Sequence, residues 1–564
     1  MKFFIGTLED NLSFFVQVYL LRKSGWGHSN LIGYPYGIDV NAYPNNQPVY
    51  HLTTLLLGRI IEPVLAYNLI IAFTMFLTIL ISFRFFNCFL KSRTVSFFYA
   101  VLLTFSPYML FHLRSHLDLI QLWTLMLYLL TLIKAKKTKD FIFAGLILSL
   151  TILTSNYLGF AGLIFTFFFF AGELVFNSGP FKAKLGQIAK NLISLLLPLA
   201  AVALIFISPY LISNYLITEK VNESSQTINV ASVERGLGEF FTFSSRPWYT
   251  FMPPISNPFY GNWSANFLSV LQNSWGYWLT FNYFPAEHAA AFLGNTNLTL
   301  ALVGLIYIIK SKNIDHKKRN LLYKLLLAAV GVYILTLPPY FTINLIKIYT
   351  PSYLLYVVFP MFRSLVRLNI IILPIMLIFS GYGIISILRR WKYPYNRVAI
   401  LLLLLISFSE FIVPIKITAV PETPAVYSYI KNETGNEARI AIYPYSKTKQ
   451  ASFWIKDFDR PIINAFNTDN PAYDFKVELF TNSFNTTEGL NKLRELGGTH
   501  LIYFPHADEA KQLSFFDEQL EHTYVNYDET ALDDSKPTML NRFLVIDNIG
   551  STKINTGIVY TLTD

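Results

Sequence analysis

Asp10 stands in the run Leu8-Glu-Asp-Asn11, directly ahead of an apolar stretch, Leu12–Leu21. A carboxylate at the start of such a stretch sits where water meets lipid. Partial burial there raises its pKa and suits it to act as general base toward a hydroxyl, such as that of a sugar. The same position suits a helix N-cap, a common role for Asp or Asn before an apolar run. His112 and His116 follow Phe105-Ser-Pro-Tyr108 and precede Asp118. They are four apart, so on a helix they share one face. Two histidines without a third ligand are a weak metal site. Hydrogen bonds to sugar or phosphate use the same nitrogens, and so does plain solvation in a polar turn.

Arg363 and Arg367 repeat the spacing of four just before another apolar run. Two guanidinium groups at headgroup level suit a phosphate held bidentately; ordinary phospholipid binding or snorkelling uses them equally well. Glu287 and His288 end a loop dense in aromatic residues, from Phe240 and Trp248 through Trp263 to Trp275, Trp278 and Phe281. Such rings stack on sugar faces, but Trp and Tyr also gather at any membrane interface. Glu287 is either a second carboxylate near Asp10 or a cap for the span that follows. Gly-rich phosphate loops, Cys/His zinc spacings and triad-like serine motifs are absent.

The elements that position these groups cross a membrane. Of the 564 residues 53% are hydrophobic, 16% aromatic and only 14% charged, the composition of a polytopic membrane protein. Ten apolar runs are predicted as spans: 65–83, 94–110, 116–133, 141–154, 156–176, 190–210, 296–310, 320–338, 369–388 and 398–416. Basic residues fall in five connections, Arg84–Arg93, Lys134–Lys139, Lys182–Lys190, Lys310–Arg319 and Arg389–Arg397. The positive-inside bias makes these cytoplasmic. The other connections and both chain ends then lie outside, with outer loops 1–64, 211–295 and 339–368. Asp10, both histidines, Glu287 and both arginines all fall on that outer side.

Residues 417–564 carry 13 Lys+Arg against 21 Asp+Glu, which leaves −8 there and +18 over residues 1–416. The basicity is thus a signal of topology and of anionic membrane lipids, and nucleic acid is excluded as a partner. The only cysteine, Cys88, is placed in a cytoplasmic loop, so the outer domain has no disulfide, as fits a prokaryotic envelope. Beyond the linker at Pro421 and Pro424 the chain alternates strands (Arg439–Tyr443, His500–Phe504) with helices (Thr486–Leu496, Asp508–Glu521). That pattern predicts a small extracytoplasmic α/β domain over 417–564. The fold class expected is mainly α: a bundle of about ten spans, residues 1–416, with this domain attached. No signal peptide precedes Asp10. A first helix is expected to be missing upstream.

These motifs, in this order and on one side, resemble the GT-C superfamily of membrane glycosyltransferases, most nearly its YfhO-like and glycosyltransferase 39-like bacterial branches. The residues that carry the likeness are Asp10, Tyr34-Pro-Tyr-Gly with Asp39, Phe105-Ser-Pro-Tyr with His112 and His116, and Ser155-Asn-Tyr157. Glu287 ahead of Phe292-Leu-Gly, and Phe362-Arg363 with Arg367, complete the set. The resemblance covers most of the chain. It implies a GT-C-like bundle in the cell membrane and a sugar donor carried on polyprenyl phosphate. It also implies transfer to an envelope glycan or protein on the outer face, usually with inversion. Asp10 takes the role of base, and Arg363 and Arg367 contact the donor phosphate. His112, His116, Glu287, Asp39 and Tyr157 are expected to bind substrate. The chain departs from the family in lacking a helix before the acid. No metal is expected to be obligatory, although a divalent ion is compatible with the site. Two other classes stay open: a non-catalytic transporter or flippase of lipid-linked glycans, and a structural protein of envelope assembly. A transporter cavity needs polar residues through several spans, whereas here they gather at one surface.

Overall fold

In the computed structural model of the chain, the described residues are 2–6, 11–25, 28–35, 37–39, 48–57, 60–223, 236–274, 287–343, 346–390, 395–420, 423–443, 448–464, 486–504, 521–526, 544–548 and 556–562. Most of them are helical, and each of the ten apolar runs is helical over most of its length, though the run at 398–416 ends its helix at Phe411 and enters a strand at Ile415. Among the described residues, seven helical stretches are long and apolar enough to cross a membrane, counting Arg93–His112 as one. Leu122–Lys134 and Ile400–Phe411 are apolar but shorter, and Thr138–Thr154 has 17 residues. The chain is a multi-pass membrane protein of mainly α class.

Local chemistry sets the helix ends. Glu62 accepts the Leu65 amide, with Pro63 at the first helical position, and so starts Pro63–Leu90. That helix runs past the expected end at 83, which puts exposed Cys88 in its last turn rather than in a loop. Ser155 caps Asn156–Phe176, and Asp315 caps His316–Thr336. The run expected at 116–133 becomes helical only at Leu122. The run at 94–110 is two helices, Arg93–Thr104 and Pro107–His112. Pro107 lacks the amide proton that would continue the first helix, so the chain restarts there.

One crossing orders the bundle around the residues of interest. Helices Asn295–Lys310 and Asn369–Arg390 approach at backbone distance. A Cβ on Gly304 would overlap the Phe379 carbonyl oxygen, and one on Gly383 would overlap the Leu300 carbonyl oxygen. Small residues at such a seam let two helices meet without intervening side chains, the usual device where lipid supplies no hydrophobic drive. Glu287 lies just ahead of the first helix and Arg367 just ahead of the second.

Beyond helix Tyr395–Phe411 the chain contributes strands to two small sheets, with short helices between them. Ile440–Tyr443, His500–Tyr503, Thr556–Thr561 and Glu521–Asn526 are neighbours in that order; the first pair is parallel and the others antiparallel. The second sheet centres on Ile415–Val420, a strand that contains the expected domain boundary. It pairs in parallel with Leu544–Asn548 and antiparallel with Lys2–Ile5 from the start of the chain. The expected helix Thr486–Leu496 is found as Thr487–Glu495. The one expected at 508–521 lies outside the described residues except for Glu521, which opens a strand.

Candidate active site

At one end of the bundle four separate segments converge on Arg367. The chain enters Asn369–Arg390 through a single 3-10 turn, Leu365–Leu368, fixed by the Val366 amide donating to the Phe243 carbonyl at 2.9 Å. The neighbouring entry, into Asn295–Lys310, passes through a 3-10 turn at His288–Ala291 headed by Glu287, whose φ is +55°. A left-handed Glu is uncommon; here it lies at the site, with its side chain turned into protein. Arg367 Nε donates to Glu287 Oε2 at 2.8 Å, and Nη2 to Oε1 at 2.5 Å. Ser364 Oγ donates to the same carboxylate at 2.9 Å. The side chains are 12% and 6% exposed, so this is a desolvated bidentate pair.

The guanidinium also lies over the Tyr157 ring at 4.5 Å, a cation–π geometry. Its Nη2 is 3.4 Å from His116 Nε2. The other nitrogen of His116 faces Ser115 Oγ at 2.9 Å. His112 stacks edge-on to His116 at 5.4 Å and to Tyr108 at 4.5 Å. It is fully buried, and neither of its nitrogens has a hydrogen-bond partner among the described residues. The hydroxyls of Tyr108 and Ser106 share that condition. Buried polar atoms are nearly always satisfied, so this group has hydrogen-bonding capacity left for a ligand. Ser155 Oγ donates to Asp118 at 2.8 Å and ties the turn after His116 to the helix that carries Tyr157.

His112, His116, Glu287, Arg367 and Tyr157 come together. The histidines are not in a solvated turn: His112 ends a buried helix and His116 follows it. Arg363 and Arg367 do not act as a pair on one helical face, because residues 361–364 are not helical. Arg363 pairs instead with Glu239 and lies over Phe243 at 5.1 Å. Asp39 belongs to another part of the molecule, a two-residue strand in register with His28–Ser29. The adjoining Leu31–Tyr34 hydrogen-bonds to Ile462. Asp10 lies outside the described residues, as do Trp275, Tyr277, Trp278 and Phe281. On one side of it, strand Lys2–Ile5 is held by Ile415–Val420 and by Asn68, whose Nδ2 donates to the Phe3 carbonyl and whose Oδ1 accepts from the Ile5 amide. On the other side, helix Asn11–Ser24 docks on Thr448–Phe458 through Tyr19 and Lys23, both 2.5 Å from Asp459. Sequence reading missed Asp118 and Ser155 as partners, and missed Arg246. That arginine is fully buried and donates to Ser244 and to the Phe241 carbonyl. A basic residue inside an aromatic stretch was the available signal.

Burial pushes the Glu287 carboxyl up, but the adjacent Arg367 charge and its hydrogen bonds pull further, so the carboxyl is held well below the usual carboxylate range. A depressed folded-state pKa contributes stability that is present above the unfolded value, about 4.3, and lost as pH falls through the folded value. The stability difference between wild type and Glu287→Gln is therefore expected to stay flat from pH 8 to pH 5 and to shrink only in stronger acid. Thermal unfolding in detergent across that range checks it; a difference that already falls between pH 7 and 5 contradicts the pairing.

No family model matches the chain, and no curated protein does. Among solved structures it is similar to the oligosaccharyltransferase AglB of Archaeoglobus fulgidus, in complex with an inhibitory peptide and a dolichol-phosphate. That match has 13% identity and a TM-score of 0.49, and covers 95% of this chain and 71% of that one. It is also similar to ArnT of Cupriavidus metallidurans in the apo state, at 10% identity and a TM-score of 0.43, over 99% of this chain and 94% of that one. The same ArnT bound to undecaprenyl phosphate gives 10% identity and a TM-score of 0.41. Among the described residues no cluster of three His, Cys, Asp or Glu side chains is placed to hold a metal.

Proposed function

We propose that the chain is a membrane glycosyltransferase. In this reading it moves a sugar from a polyprenyl-phosphate-linked donor to a glycan or protein acceptor of the envelope, at the outer end of the bundle and with inversion. The observation that carries the reading is the Arg367 cluster. A desolvated guanidinium, held on one edge by Glu287 and on one face by Tyr157, retains an Nη1 that makes no hydrogen bond among the described residues. Beside it stand His116 and a buried His112 with both nitrogens unused. A fixed cation next to uncommitted hydrogen-bonding groups, at a lipid–water boundary, suits a lipid phosphate with a sugar attached.

In the reaction Asp10 takes the proton of the acceptor hydroxyl, and that oxygen attacks the anomeric carbon. The bond from that carbon to the phosphate oxygen breaks, and its electron pair leaves on the lipid phosphate. Arg367, with His116, offsets the charge that develops there. Arg363, on a separate ion pair nearer the surface, is available to meet the departing phosphate after releasing Glu239.

Transfer of labelled sugar from a polyprenyl-phosphate donor by reconstituted wild type and Asp10→Asn tests the base. General-base removal is expected to cost about 10²–10⁴-fold in rate while donor binding persists. Equal transfer by both proteins removes Asp10 from that role. No transfer by a folded wild type from any such donor overturns the reading.

A further inference from the structure

We infer a second site at the opposite end of the bundle, one that takes the phosphate of an anionic membrane lipid. Tyr157, at the Arg367 cluster, and Glu173 belong to the same helix, Asn156–Phe176. Sixteen residues separate them, about 24 Å along the axis. Around Glu173 lies a cavity of about 560 Å³. Its charged lining is Lys136, Lys184, Lys324 and Glu173, three ammonium groups against one carboxylate, and Asn177, Ser178, Gln187 and Asn191 add neutral polar groups.

Lys324 is the inner member. Its side chain is 8% exposed, and Nζ donates to Glu173 at 2.7 Å. Gly172 lets it come this close, since a Cβ there would stand 3.0 Å from the Lys324 stem. Lys184 spends two of its three protons on the carbonyls of Leu174 and Asn177, at 2.6 and 3.0 Å, which closes the end of that helix. Each of these lysines keeps at least one proton for a ligand. The Lys136 ammonium has no side-chain partner among the described residues. Gln187 donates to Asn191 Oδ1 and so leaves the Asn191 amide protons available.

Apolar side chains, among them Phe141, Phe169 and Ile188, make up the rest of the wall beyond these polar groups. The bordering helix Phe181–Glu223 turns large apolar side chains outward, with Ile193 68% and Leu197 64% exposed, as a lipid-facing helix does. A cationic rim over an apolar floor, at the end of membrane-spanning helices, matches a phospholipid headgroup with its glycerol and first acyl carbons. A small soluble anion would leave that floor unfilled.

The test uses the full chain in detergent, titrated with phosphatidylglycerol or phosphatidylcholine and read by native mass spectrometry. The expected result is selective retention of phosphatidylglycerol, weakened about tenfold by Lys136→Glu. Lys139→Glu, which reverses a charge in the same connection but outside the cavity, is expected to bind as wild type does. Both residues are exposed, so thermal unfolding of the variants should match wild type. Equal retention of the two lipids, or equal weakening by the two variants, overturns the site. Displacement of the lipid by millimolar glycerol phosphate would assign the cavity to a free anion instead, and would overturn the lipid as its occupant.

Discussion

Arg367→Leu is expected to abolish sugar transfer and to destabilise the folded protein by about 3–5 kcal/mol, because it strands the Glu287 carboxylate in a desolvated place. Glu287 is 8% exposed, and its remaining partner, Ser364, is neutral. The double variant Glu287→Leu/Arg367→Leu is expected to recover much of that stability, since two apolar side chains replace the pair without leaving a charge behind. Transfer stays lost, because the cation beside His116 is gone. A stability cycle over the four proteins, measured by denaturant or thermal unfolding, separates the roles. If the double variant transfers sugar at the wild-type rate, the pair is architectural and Arg367 does not serve the donor. If Arg367→Leu alone is fully stable, the pair is not the desolvated one described.

Gly304→Leu is the second large effect expected, and it acts on the same pair from a distance. The added side chain has no place to go, because its first atom already overlaps the Phe379 carbonyl oxygen and crowds the Gly383 nitrogen. Helices Asn295–Lys310 and Asn369–Arg390 must separate, and overpacking of this kind costs about 1–3 kcal/mol or more. Glu287 and Arg367 lie at the entries to those two helices, so the separation also pulls their bidentate geometry apart. Transfer is expected to fall about 10²-fold, the penalty for misplacing reacting groups by an ångström or so. Gly186→Leu is the control: a Cβ there meets nothing within 4 Å, and wild-type stability and transfer are expected. If Gly304→Leu behaves like this control, the close crossing is not what sets the pair.

The helices were legible in the sequence because a span must be an unbroken apolar run, and no tertiary partner is needed to recognise one. Where reading failed, a local rule competed with it. Pro107 restarts a helix inside what hydropathy shows as one run, and His116–Gln121 bends before Leu122 although the run is apolar enough to continue. The candidate site was legible as a list of residue types at one end of the bundle, but not as a set of pairs. Glu287 and Arg367 are 80 residues apart, and Arg363 and Glu239 are 124 apart. Glu287 and Arg367 meet at the entries to two helices whose backbones touch at Gly304 and Gly383, a contact no local pattern records. Spacing of four suggested that the arginines share a face; that holds on an α-helix, and residues 361–364 form none. The same reasoning applies to Lys2–Ile5, whose partner strand lies more than 400 residues on. A strand of four residues carries no record of the edge it will complete.

Photocrosslinking asks whether the Arg367 cluster receives a lipid-phosphate sugar donor. A polyprenyl-phosphate sugar with a photoreactive group next to the phosphate is reconstituted with the full chain, irradiated, and mapped by peptide mass spectrometry. Adducts are expected on the segments carrying His112 and His116, Tyr157, and Arg363 and Arg367, reduced in Arg367→Leu/Glu287→Leu. Adducts confined to other segments, or unchanged in that double variant, would contradict donor binding at the Arg367 cluster.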